Sequence, residues 1–210
     1  TCELTALDGP GVVRCGAPQS CATSWSGAIL SDKRPAAVRQ PGDNRGGALM
    51  IRNVHERVIN APIESLGALL DGLGQKDDRL WPSQSWTPMV LDRPLAVGAD
   101  GGHGVIRYYV SEYEPGRRVR FTFRPRTGII GAHELSLDTL DDERTRIRHV
   151  LIGRARGAMR LMFSAVVEPL HDAVVEDLLD NAEREATGSV ARPASWSPRV
   201  RVLRRLTGDR

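Results

Sequence analysis

Cysteine is scarce in this chain. Only Cys2, Cys15 and Cys21 occur among 210 residues, all near the start. They have no CxxC spacing, so neither a zinc site nor a disulfide framework is expected of them. Lysine is scarcer still: Lys33 and Lys76 stand against 27 arginines. No apolar run approaches the roughly 18–20 residues that a membrane span needs, so no stable membrane insertion is expected. The opening stretch TCELTALDGPGVVRCGAP lacks the basic flank and apolar core of a signal peptide, and a cytoplasmic location is the expectation. Histidines 55, 103, 133, 149 and 171 show no HxH or HxxxH spacing, so no metal and no cofactor are expected. GxSxG is absent, which removes the usual nucleophile turn of a Ser-His-Asp hydrolase.

The net charge of +3 is unevenly placed. Residues 187–210 carry six arginines and only Asp209, while the central body is mildly acidic. Nucleic-acid binding needs a basic face on the fold itself, so no nucleic-acid partner is expected. The basic end contains the residue types of a short amphipathic helix around Arg199–Leu206, but a solvated tail is the simpler reading.

Residues 1–49 have no sustained period, and SDKRPAAVRQPGDNRGG reads as linker or disorder. Met50 directly precedes the first strong strand, which is consistent with a natural start near it. The pattern from there is regular. IRNVHERVI reads as a strand. A helix follows with Pro62 at its first position and Ile63, Leu66, Leu69, Leu70 and Leu73 at helical spacing. The three prolines after Leu80 break the chain into short strands near Met89–Leu91 and Leu95–Val97. Two hairpins come next. In the first, Tyr108 and Val110 alternate with Arg107 and Tyr109, and Val119, Phe121 and Phe123 return opposite them. In the second, His133, Leu135 and Leu137 face Ile147, His149 and Leu151. A register that sets Leu135 opposite His149 leaves His133 diagonal to His149, within reach. A long helix over about Ala158–Arg184 closes the domain, with a kink at Pro169, which lacks a backbone donor. Three segments result: an irregular extension over 1–49, a domain over 50–186 and a basic tail over 187–210.

The glycine loop GADGGHG, at 98–104, tests for phosphate binding. It has neither the GKS/GKT ending nor GxGxxG spacing, and it leads into a strand rather than a helix N-terminus. Glycines with positive φ at a turn or bulge explain it better.

VHERVINAPIESLGALL, RPLAVGADGGHGVIRYYVSEYEPGRRVRFTF and EPLHDAVVEDLLDNAE together resemble the SRPBCC superfamily. This is the helix-grip group of START lipid-transfer domains, birch-pollen-type allergens and polyketide cyclases. The resemblance covers roughly Met50 to Glu185. It rests on a hydrophobic pattern rather than a catalytic motif. It implies an α+β fold, in which a curved antiparallel sheet of about seven strands wraps the C-terminal helix around a cavity for an apolar molecule. The implied lining is Tyr108, Val110, Phe121, Phe123, Leu135 and Leu151 from the strands and Met162, Phe163 and Val166 from the helix. His133 and His149 are the candidate catalytic pair, because a buried imidazole moves protons near neutral pH. Arg107 is expected to face outward. Trp81 and Trp86 either cap the cavity or pack beneath the helix. His103 stands at a possible mouth, and His171 is expected to serve helix packing. Three functions are open: binding or transport of a small hydrophobic ligand such as a lipid or polyketide, an aromatase/cyclase or dehydratase, and a protein-interaction module with a vestigial cavity. Oligomeric state is not legible.

Overall fold

The computed structural model describes residues 48–208, so the three cysteines and nearly all of the expected N-terminal extension lie outside the described residues. Seven strands form one antiparallel sheet in the order β1-β7-β6-β5-β4-β3-β2. They are β1 (Leu49–Ile59), β2 (Val90–Leu91), β3 (Asp100–His103), β4 (Ile106–Glu114), β5 (Arg118–Phe123), β6 (Ile129–Asp141) and β7 (Arg144–Ala155). Helix α1 (Ile63–Asp71) follows β1, and Pro62 precedes its first residue. After β7 comes a 30-residue helical rod: α2 (Ala158–Met162), a wide π turn (Phe163–Val167) and α3 (Glu168–Thr187). A last helix, α4 (Pro198–Thr207), stands where a tail was expected.

Strict alternation fixes the register, because a slip of one residue would turn every apolar side chain out of the core. Tyr108 pairs with Phe123, Val110 with Phe121 and Leu135 with His149. Alternation carried on from these pairs would set Ser111 opposite Arg120, but the register shifts between Val110 and Glu112, and Glu112 takes that place. The bulge turns Glu112 toward Arg118, whose Nη1 donates to its carboxylate at 2.8 Å.

The glycine loop differs from expectation in a second way. No strand forms over Leu95–Val97; β3, which lies between β4 and the edge strand β2, is made from the loop's own Asp100–His103. Its neighbours come too close for side chains. A Cβ on Gly101 would stand 2.0 Å from the Val90 carbonyl oxygen, and one on Gly102 would stand 2.0 Å from that of Ile106. Gly101→Ala is therefore expected to pry β2 from β3 and cost about 3 kcal/mol, read as a drop in the urea midpoint.

Pro169 disturbs the rod as expected, but the rod widens instead of only bending. The missing N–H and the ring at position 169 leave carbonyls of the preceding turn without their helical donor. Arg199 of α4 supplies the replacement, with Nη2 donating to the carbonyls of Ser164 at 3.1 Å and Ala165 at 2.7 Å.

Candidate functional site

The concave face of the sheet and the rod enclose a cavity of about 310 Å³. Trp81, Trp86, His103, Phe121, Phe123, His133, Leu135, His149, Leu151, Met162 and Val166 border it. Three residues expected there do not. Tyr108 and Val110 are wholly buried, and Phe163 is nearly so. The Tyr108 ring packs behind the wall, 4.8 Å from the His133 ring and 5.1 Å from that of Phe121. Phe163 begins the π turn, where the extra residue breaks the regular helical spacing and sends its side chain into the core while Met162 and Val166 keep the cavity side.

The two tryptophans do not form an exposed lid. Trp81 Nε1 donates to the Thr87 carbonyl at 3.0 Å, and Trp86 Nε1 donates to Asp177 Oδ2 at 2.7 Å. Trp196, which precedes α4, donates to that same oxygen at 2.9 Å. The Arg204 guanidinium lies 4.6 Å from the Trp86 ring and 3.9 Å from the Trp196 ring, and it donates to the Ser85 carbonyl. The C-terminal segment is thus held by packing, by Ser197 capping α4 through Val200 N at 3.2 Å, and by burial of Val200. Thr207 reaches the cavity border. Arg204→Ala is expected to free α4 and speed amide exchange over 198–207 at least tenfold, while the strands keep their protection.

Chemistry in the cavity centres on histidine. His149 Nε2 and His133 Nδ1 lie 3.3 Å apart, a hydrogen bond that the expected register allowed. His133 also stacks on Phe121 and Phe123, with ring centroids at 5.0 and 5.2 Å. The remaining nitrogens, His133 Nε2 and His149 Nδ1, are buried with no hydrogen-bond partner among the described residues. Whichever ring donates within the pair, one outer nitrogen is left a donor and the other an acceptor. Burial pushes both rings well below the usual histidine range, with neighbouring imidazoles adding to the effect, so both are neutral. The pair can therefore hold a polar group of a bound molecule, or pass one proton to and from it.

The His103 ring lies tilted against that of Trp81, with centroids 4.8 Å apart. Arg107 faces outward, as expected. His171 does more than pack a helix: it lines the cavity, 5.0 Å from the His149 ring.

A polar flank beside the cavity escaped sequence reasoning. The inward residues of β1 run Ile51, Asn53, His55, Arg57, Ile59, with three polar groups in the middle. They meet Asp172, Glu176, Asp180 and Glu183 on α3. His55 bridges Glu176 at 2.8 Å and Asp172 at 3.2 Å, and Asn53 Nδ2 donates to Asp172 Oδ1 at 2.7 Å. Arg57 reaches Asp180 at 2.7 Å, Glu183 at 3.0 Å and Glu176 at 3.3 Å. Burial disfavours a charged His55, but the hydrogen bonds and charges of Asp172 and Glu176 outweigh it and raise its pKa to about 9. The signal was present as carboxylates at four- and three-residue spacing on α3 facing alternate polar residues on β1, two patterns that share no stretch of chain.

Among the described residues no helix is long and apolar enough to cross a membrane. No family model and no curated protein matches the sequence. Solved structures resemble it in shape. Truncated norcoclaurine synthase from Thalictrum flavum is 10% identical, aligned over 70% of this chain and 100% of its own, with a TM-score of 0.52. A protein from Nitrosospira multiformis is 16% identical over 65% of this chain and 97% of its own, with a TM-score of 0.51. A conserved protein of unknown function from Enterococcus faecalis is 12% identical over 76% and 86%, with a TM-score of 0.50. At these identities the likeness establishes the fold, which is the helix-grip arrangement of curved sheet and C-terminal helix.

Proposed function

We propose that this chain is a helix-grip protein of the SRPBCC type that binds a small, mainly apolar molecule between sheet and rod. The cavity of about 310 Å³ carries the reading. Its size suits a compact ligand at the lower end of the usual range. Its walls are aliphatic and aromatic, and His133 and His149 offer one donor and one acceptor to a carbonyl, hydroxyl or carboxyl group on that ligand. An open interior supports a binder over an interaction module, which would have filled it. The functional domain on this reading begins at β1 and includes α4, because Arg204 and Thr207 belong to the cavity's surroundings.

Native mass spectrometry of the purified full chain, searching for a co-purified apolar compound, tests this directly. A fluorescent apolar dye supplies a second readout. Val166→Trp, on the partly exposed rod, is expected to fill the cavity and weaken dye binding at least tenfold while the melting temperature holds. Equal dye binding by wild type and Val166→Trp would place the ligand elsewhere and remove the proposal.

The hydrogen-bonded pair of unpartnered imidazoles favours one second reading, a cyclase or dehydratase that moves a proton on a polyketide-like substrate. Replacing His133 and His149 together by Phe is expected to abolish turnover of a substrate found this way yet keep apolar binding within about threefold. Unchanged turnover would take the pair out of the mechanism.

A further inference from the structure

We propose that His55, His171 and Asp172 form a site for one divalent first-row transition ion of the zinc class, at the border of the cavity that His171 lines. One donor atom from each lies within 4.8 Å of the other two. His55 Nε2 is 3.2 Å from Asp172 Oδ1, and His171 Nδ1 is 3.8 Å from it. Bonds of about 2.0–2.1 Å to a tetrahedral ion hold donor atoms about 3.3 Å apart, so two separations are already near the required value.

The surroundings orient the donors as metal ligands are oriented elsewhere. His55 Nδ1 is held by Glu176 Oε1 at 2.8 Å, which aims Nε2 at the site. Glu176 is in turn held by Arg57 at 3.3 Å. Asn53 fixes the Asp172 carboxylate at 2.7 Å. His171 Nδ1 is buried and too far from Asp172 for a hydrogen bond; no hydrogen-bond partner meets it among the described residues. A buried imidazole nitrogen facing a carboxylate and a second imidazole is what a metal ion would satisfy.

Donor chemistry selects the ion. Two imidazoles and one carboxylate suit zinc, cobalt or iron(II), whereas calcium and magnesium prefer all-oxygen shells. The Asp172 side chain is 41% exposed, which gives the ion a route from solvent. Three protein ligands leave a coordination position open, the arrangement in which an ion can take a water or a ligand atom. Sequence spacing could not show the site, because His55 and Asp172 stand 117 residues apart. The site stands whether or not the cavity holds an organic ligand, so its test is independent of that reading.

The full chain, stripped with a chelator, is titrated with Co²⁺ and followed by visible absorption and calorimetry. One ion per chain is expected, with the d–d bands of a nitrogen- and oxygen-ligated site, displaced by Zn²⁺. His171→Gln and His55→Gln are each expected to weaken binding at least tenfold. Glu176→Gln should weaken it about tenfold while stoichiometry holds. His171→Gln removes no hydrogen bond that the fold uses at Nδ1, so it decides the question if His55→Gln fails to fold. Circular dichroism in chelator verifies the fold of each variant. Three results overturn the proposal: no saturable binding at one ion per chain, binding unchanged in His171→Gln, or thiolate charge-transfer bands that place the ion on Cys2, Cys15 or Cys21.

Discussion

Arg57→Ala is expected to destabilise the fold by about 3–5 kcal/mol, the range for stripping one partner from buried charges. One guanidinium serves three carboxylates: Nη1 donates to Asp180 and Glu183, and Nη2 to Glu176. Asp180 is 6% exposed, so its charge cannot turn to water when Arg57 is lost. Glu176 is more open and recovers part of its solvation, which holds the cost to the lower half of the range. A change of this size lowers the melting temperature of a chain this long by roughly 10 °C. Arg57→Lys keeps one charge but loses the planar fork, and falls between wild type and alanine. Glu56, the next residue on β1, is exposed and paired at 3.6 Å with Arg148; Glu56→Ala serves as the control and should change stability by less than about 0.5 kcal/mol. If Arg57→Ala melts with wild type, β1 and α3 are not held by this network.

Stability is also expected to peak near pH 6.5 in the presence of a chelator and to fall on both sides. His55 faces Asp172, Glu176 and His171 on α3, His149 on β7 and Arg57 on its own strand. Its folded-state pKa is about 9 against 6.5 when unfolded. The stabilisation is therefore complete below pH 6.5, declines as pH rises through that window and is absent above about 9, a loss of a few kcal/mol. The acid side has the opposite cause. His133, His149 and His171 are held neutral, chiefly by burial. Below pH 6.5 the unfolded chain takes up protons that the folded one refuses, so stability falls as pH falls. Urea midpoints from about pH 5 to pH 10 check both limbs. His55→Gln should flatten the alkaline limb alone, and the His133→Phe/His149→Phe pair should shallow the acid limb. An alkaline limb that persists in His55→Gln would refute the assignment.

Much of the cavity wall was legible because a strand alternates with period two and each hairpin turns within a few residues. Tyr108, Val110, Phe121 and Phe123 shared one face, Leu135 met His149, and the His133–His149 contact followed from that register. Which wall residues touch the void was less legible. Alternation tells in from out, but Tyr108 and Val110 are inward and still fully covered. The π turn was invisible for a different reason: it depends on whether something satisfies the carbonyls that Pro169 abandons, and that partner is Arg199 on another helix.

The sequence by itself determined β1, α1, the strands of the two hairpins with their pairing, and the apolar side of each, since these depend on neighbours within about a dozen residues. Tertiary structure alone decided what meets at the cavity's flank. Asn53, His55 and Arg57 look like an ordinary exposed alternation until α3 lays Asp172, Glu176, Asp180 and Glu183 across them. It likewise turned a basic tail into a docked helix, with Arg204 against two tryptophans. A charge or an aromatic ring has no fixed side of its own; its burial is favourable only once the complementary group arrives, and that group came from more than a hundred residues away in each case but Trp196.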